Sequence, residues 1–132
     1  MRTCEVDYET ETGHVSKSWE MVERTRIPAS AICNAVDVLP IVKYSNGKKQ
    51  LLLIANYRPP TDRYSVELPS GLVEEGADLI ENAKRELKEE TGYTAQDIFE
   101  LDYCPVVCID PWKSNETTKV FVAHIDGDHT LN

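Results

Sequence analysis

Glu86, Glu89 and Glu90 stand within five residues of one another, and Arg85 comes directly before them. At 100° per residue these positions span about 100° of a helix surface, so three carboxylates crowd one side. Like charges that close cost helix stability unless cations intervene. Arg85 can answer Glu81 or Glu89, each four residues away, but it is one charge among many. The remainder suits a hard cation with oxygen ligands, Mg2+ or alternatively Mn2+, and such a site serves phosphorylated substrates. The plainer reading is that a glutamate-rich helix is only a solvated face.

The elements that position these groups can be read from both sides. Asp78 with Glu81 three residues later reads as a capping box that opens a helix, and Gly92 followed by Tyr93 closes it. Between them Ile80, Ala83 and Leu87 recur at helical spacing and can face a core. Pro69-Ser70-Gly71 supplies a turn upstream. Residues 2–8 and 18–26 are extended segments around the polar turn Thr10–Gly13, which predicts a hairpin. A second hairpin is predicted from Ala35–Tyr44, the turn Ser45-Asn46-Gly47-Lys48 and a strand Gln50–Tyr57. Pro59-Pro60 breaks it, Tyr64–Leu68 forms a short strand, and Phe99–Cys108 and Thr118–Ile125 follow the helix as further strands.

The segment from Gly71 to Tyr93 closely resembles the Nudix box, Gly-x5-Glu-x7-Arg-Glu-U-x-Glu-Glu-x-Gly-U, where U is aliphatic or aromatic. Gly71, Arg85, Glu86, Leu87, Glu89, Glu90, Gly92 and Tyr93 match it in register, and Ala77 stands where the box has its first glutamate. In the family that glutamate usually orients the arginine. The departure therefore implies weakened support for Arg85, with Glu81 as the residue expected to take over. Ser18-Trp19-Glu20-Met21-Val22-Glu23-Arg24, Tyr57-Arg58-Pro59-Pro60, Val66–Gly71 and Val107–Pro111 are similar to the ADP-ribose or ADP-sugar pyrophosphatase branch.

That resemblance implies an α+β fold, an α/β/α sandwich around a mixed sheet. It implies residues 1–30 as an N-terminal dimerisation extension of strands and residues 31–132 as the hydrolase domain. It also leads to the expectation of another strand and a closing helix beyond residues 118–125, and so of a chain truncated at its C-terminus. The implied reaction is hydrolysis of ADP-ribose or a related ADP-sugar to AMP and a sugar phosphate. Glu86, Glu89 and Glu90, with the Ser70 carbonyl, would hold the metal, and Arg85 completes the catalytic set. The family's general base is expected after Asn132, which would leave Glu89 or Glu90 to activate water. The alternative is a non-catalytic or weakly active nucleotide-binding module. Arg24 and Arg58 are candidates for diphosphate or ribose contacts, since guanidinium forks match phosphate, with surface salt bridges as the plain reading. By resemblance Trp19 stacks on adenine from the partner subunit of a domain-swapped homodimer. Glu67 binds substrate or metal, or forms a structural ion pair, and Asp110 lies beside Trp112 in an active-site loop.

Composition is consistent with this. The 132 residues suit one domain, and a net charge of −9 argues against a nucleic-acid polymer as partner. No apolar run approaches the roughly 18 residues of a membrane span, and no hydrophobic signal segment opens the chain, so a cytoplasmic or nuclear setting is expected. Of Cys4, Cys33, Cys104 and Cys108, the last two would share one face of a strand as core residues or free thiols, and no second ligand pair makes a zinc site.

Overall fold

A computed structural model gives the fold and describes residues 1–25, 31–101, 103 and 106–129. The chain starts with an antiparallel hairpin of β1 (Arg2–Glu9) and β2 (Val15–Glu23), whose turn carries Gly13 at φ 79°. Arg26, predicted as strand, and the expected domain boundary near residue 30 lie outside the described residues. The hairpin forms its own sheet and meets the rest of the molecule at the loop around Lys113, where the Val22 N–H donates to the Lys113 carbonyl at 2.7 Å.

The central strand is β3 (Ala35–Lys43), in which Val36, Val38, Pro40 and Val42 turn into the core while Ala35, Asp37, Leu39 and Ile41 take the other face. An Asn-Gly turn leads into β4 (Lys49–Leu51), antiparallel to the second half of β3. The strand predicted for Gln50–Tyr57 is not continuous. A hydrogen-bonded antiparallel pair exchanges two bonds, but Pro40 has no N–H and can only accept, from Leu52 N at 3.0 Å. The ladder ends there and the chain leaves the sheet. It continues as a separate ribbon of β5 (Ile54–Arg58) and β6 (Arg63–Glu67), joined by a 3-10 turn at Pro59–Thr61.

The chain returns as β7 (Ser70–Leu72), which pairs with Ala35–Asp37 on the edge that β4 has vacated. Helix α1 (Leu79–Thr91) follows, then β8 (Asp97–Glu100), β9 (Val107–Cys108) and β10 (Thr117–Asp126). The predicted strand Phe99–Cys108 is thus two short ones, with Cys104 outside the described residues. Cys108 is exposed, not in the core, because β9 is a two-residue edge strand that touches only the start of β10. β10 runs parallel to β3 along nine register pairs and antiparallel to β8 and β9, so the sheet is mixed.

α1 lays Ala83 and Leu87 against Val36, Val38, Phe121 and Ile125, all fully buried. Each large side chain buried there contributes about 1.5–3 kcal/mol. The fold is the expected α+β class, with α1 as the α-helix among the described residues. None of the described helices is long and apolar enough to cross a membrane.

Candidate functional site

Asp78 caps α1 as expected, its Oδ1 accepting from Ile80 N at 2.9 Å and Glu81 N at 3.1 Å. At the other end Gly92 adopts φ 79° and donates its N–H to the Lys88 carbonyl. These local signals fix the helix phase, and the phase sends Glu86 toward β7 beside the apolar stripe. Glu86 is 9% exposed. A Cβ on Gly71 would lie 1.9 Å from its Cδ, so glycine is required for this carboxyl to reach the strand. Glu90, one turn later, reaches the same place, its Oε2 accepting from Ser70 N at 2.8 Å. Two carboxylates therefore converge on the backbone of Ser70-Gly71.

Arg85 donates to Glu89 at 2.7 Å, to Glu86 at 2.6 Å and to Asn82 Oδ1 at 3.2 Å. Its fourth partner is Glu74, at 3.6 Å. Glu81, expected to replace the glutamate missing at position 77, instead takes the Lys84 ammonium at 2.7 Å. The turn from Glu74 to Ala77, closed by Ala77 N on the Glu74 carbonyl, brings Glu74 round to the arginine. Buried Asn82 also donates to the Leu72 carbonyl at 3.2 Å, tying the helix to β7.

Burial pushes the Glu86 carboxyl above its usual range, Arg85 draws it partly back, and the charges of Glu89 and Glu90 push it up again. Negative charge is thus in excess around a carboxylate shielded from water. Hard oxygen donors with excess charge fit a divalent cation. Among the described residues no three acidic, His or Cys side chains already converge as a ligand set, since Arg85 holds Glu89 aside.

A cleft of about 290 Å³ opens on the other side of Ser70-Gly71, with Arg24, Asn34, Asp37, Arg58 and Glu116 around it. Both arginines predicted to meet phosphate are there, and each already holds a carboxylate. Arg58 forms a fork with Glu67, Nε to Oε1 at 2.8 Å and Nη2 to Oε2 at 2.5 Å, and Arg24 Nε donates to Glu116. The Arg58 hydrogen bond holds Glu67 below the usual carboxylate range. Two arginines face Asp37, Glu67 and Glu116, so the cleft carries no surplus positive charge for a diphosphate.

Trp19 and Asp110 are not brought to this cleft. The Trp19 indole N–H donates to the Trp112 carbonyl at 2.8 Å, and Tyr8 packs edge-on to its ring. Asp110 pairs with Lys113 at 2.6 Å, and Lys113 covers the Trp112 ring. This cluster holds the 110–114 loop against β2. Asp37, Glu74, Asn82 and Glu116 were not foreseen as site residues. Asp37 had a visible signal, a lone charge inside an apolar alternating strand. The other three are placed by turns and pairings that no local pattern announces.

Comparisons with known proteins find a family model, relatives and a solved structure that cover most of the chain. A family model described as NUDIX domain matches residues 35–131. The ADP-sugar pyrophosphatase of Mus musculus is 36% identical over 118 residues, covering 89% of this chain and 52% of that protein. The ADP-ribose pyrophosphatase of Saccharomyces cerevisiae is 33% identical over 111 residues, covering 83% of this chain and 46% of that one. A crystal structure of an ADP compounds hydrolase superposes with a TM-score of 0.65 at 27% identity, over 96% of this chain and 63% of that chain. The chain spans about half the length of the curated relatives it matches.

Proposed function

Because this chain belongs to the Nudix family, we propose that it hydrolyses the diphosphate of ADP-ribose or a related ADP-sugar, giving AMP and a sugar phosphate. The observation that carries the reading is the joint approach of Glu86 and Glu90 to Ser70-Gly71, at the wall of a cleft that also holds Arg24 and Arg58. The relatives' names, ADP-sugar and ADP-ribose pyrophosphatase, support the substrate class.

Glu86, Glu89 and Glu90 with the Ser70 carbonyl would hold Mg2+, or Mn2+ in its place. A cation bound there neutralises phosphoryl oxygens, orients the attacking water and stabilises the leaving phosphate. The chain's own groups do the positioning. Arg24 and Arg58 bind the diphosphate by exchanging Glu116 and Glu67 for phosphate oxygens, a swap that replaces the Arg58 fork and the Arg24 Nε hydrogen bond with equivalent ones. Arg85 restrains Glu86 and Glu89, with Glu74 behind it. Glu89 and Glu90 face solvent, and one of them takes the proton from water. Residues 1–30 act as a dimerisation extension to the hydrolase domain of 31–132. Trp19, 41% exposed, stacks on adenine across the homodimer, and Asp110 orders the loop below it.

The test is release of AMP from ADP-ribose by the purified protein with Mg2+, alongside Glu90→Gln. Turnover should need the divalent ion and should drop in the variant by more than the roughly 10–100-fold that loss of a supporting residue costs. Unchanged turnover in Glu90→Gln would refute the metal assignment. A second reading, a nucleotide-binding module without turnover, draws support from Arg85 occupying two of the three box carboxylates. Tight ADP-ribose binding with no AMP in any metal would establish it.

A further inference from the structure

Asn34 stands at a junction of the cleft wall. It directly precedes β3, and its backbone reaches Thr117, the first residue of β10, and Val73, the residue after β7. Its N–H donates to the Thr117 carbonyl and its carbonyl accepts from Val73 N, each at 3.0 Å. The side chain doubles the first of these joints. Oδ1 accepts from Thr117 N at 2.8 Å and from the Thr117 hydroxyl at 3.3 Å. A backbone N–H can only donate, so the atom facing it is the amide oxygen, and the direction of the NH2 group is thereby fixed. Among the described residues nothing accepts from Nδ2, and Nδ2 is open to solvent, not sealed off as a buried orphan. Since Asn34 lines the cleft, it holds oriented donors at the cleft wall.

The clamp on Thr117 uses only the oxygen. A carboxylate at position 34 would hold the same N–H, and charge would strengthen the bond. What the amide adds is a donor without a charge. Asp37 and Glu116 already offer the cleft acceptors for hydroxyl groups, whereas the acceptor-only part of an ADP-sugar is its diphosphate. Arg24 and Arg58 reach phosphate only by giving up Glu116 and Glu67, but Nδ2 has no partner to give up. Thr117 directly follows Glu116. A phosphate oxygen that takes the place of Glu116 at Arg24 therefore comes to the wall that Asn34 lines.

We propose that the Asn34 side-chain amide is a substrate contact, donating to a non-bridging oxygen of the diphosphate beside Arg24. This rests on the ADP-sugar reading and deepens it. A hydrogen bond to a charged acceptor is of the stronger kind, and the Thr117 clamp orders the donor before substrate arrives.

The test uses the full chain with Asn34→Asp and Asn34→Ala. Aspartate keeps the acceptor for Thr117 and loses the donor, and alanine loses both. Binding of ADP-ribose and of inorganic pyrophosphate, each with Ca2+, is read by calorimetry at about 20 and about 500 mM NaCl, the higher salt screening any effect of the added charge. Both variants should bind both probes about tenfold more weakly than wild type, and the defect of Asn34→Asp should persist in high salt. Asn34→Asp should melt close to wild type and Asn34→Ala lower, because only alanine opens the clamp. The side-chain amide of Asn34, identified by NMR as the 1H–15N signals missing from Asn34→Asp, should shift when either probe is added.

Wild-type affinity in Asn34→Asp would overturn the proposal and leave the side chain as a clamp. Wild-type affinity in Asn34→Ala, or a defect in Asn34→Asp that high salt abolishes, would overturn it in favour of a charge effect. Amide signals that stay in place when a probe binds would overturn it as well. Absence of AMP from wild type with Mg2+ overturns the hydrolase reading alone, since the binding comparison still decides the role of Asn34. A wild-type protein that binds neither probe overturns both.

Discussion

Gly71 matters because it lacks a side chain. Its missing Cβ leaves room for the Glu86 carboxyl, and any larger residue would meet Cδ at 1.9 Å. Gly71→Ala should therefore displace the most buried carboxylate of the site at a stability cost of about 1 kcal/mol, the low end for overpacking, because the atoms it meets are the end of a flexible side chain. Metal-dependent turnover should fall with it. Adding Glu86→Ala to Gly71→Ala should recover most of the stability and none of the activity, because the clash is removed while the ligand stays lost. Melting temperatures of the two single variants and the double variant check this as a cycle. If the double variant is no more stable than Gly71→Ala, the steric account is wrong.

At the scale of elements, the β5–β6 ribbon is fastened by the Arg58–Glu67 fork. Glu67 has its carboxyl lowered from 4.5 in the folded state, chiefly by the Arg58 hydrogen bond. A lowered folded value means that the unfolded chain binds the proton first. The pair's stabilisation is therefore present above pH 4.5 and is lost as pH falls below it through the folded value. Arg58 is half exposed, so the contribution is at most about 1 kcal/mol. Amide exchange in Ile54–Arg58 should quicken in wild type on going from pH 6 to 4, after correction for intrinsic rates. In Glu67→Gln it should already be fast at pH 6. Equal protection in the two proteins at pH 6 would dismiss the fork as a fastener.

The helix is where sequence and structure agree most closely, because its signals are local. Asp78 binds N–H groups two and three residues on, and Gly92 closes on Lys88. Replacing Asp78 with Ala should cost about 1 kcal/mol, measurable by urea unfolding, and fray the first turn that carries Glu81. The strand from Gln50 to Tyr57 was read as one because β propensity runs through it. Its break at Leu52 is decided across the sheet by Pro40, twelve residues earlier in sequence and invisible to a local pattern. The partner of Arg85 was missed for a related reason. Glu74 and Glu81 both lie within reach along the chain, and only the turn between Glu74 and Ala77 selects between them. Asp37 was legible as an oddity, but only the pairing of β7 with β3 makes it a wall of the cleft.

For the whole molecule, charge sets a condition on how an anionic substrate can enter. The chain has 14 basic and 23 acidic residues, a net charge of −9, and its two cleft arginines are already matched by Glu67 and Glu116. The field at the cleft thus repels a diphosphate until a divalent cation is present. In EDTA, ADP-ribose should bind at least about tenfold more weakly than with Ca2+. Raising NaCl from about 20 to 200 mM should leave that weak binding unchanged or strengthen it, because salt screens a repulsion there. Mn2+ binding, followed by water proton relaxation, should weaken over the same range, because the same salt screens an attraction. A cleft that recruited phosphate with free arginines would show the reverse for the nucleotide, with metal-free binding that salt erodes. Tight, salt-sensitive binding of ADP-ribose in EDTA would mean that Arg24 and Arg58 are released from their carboxylates before substrate arrives, and that the arginines, not the cation, make the first contact.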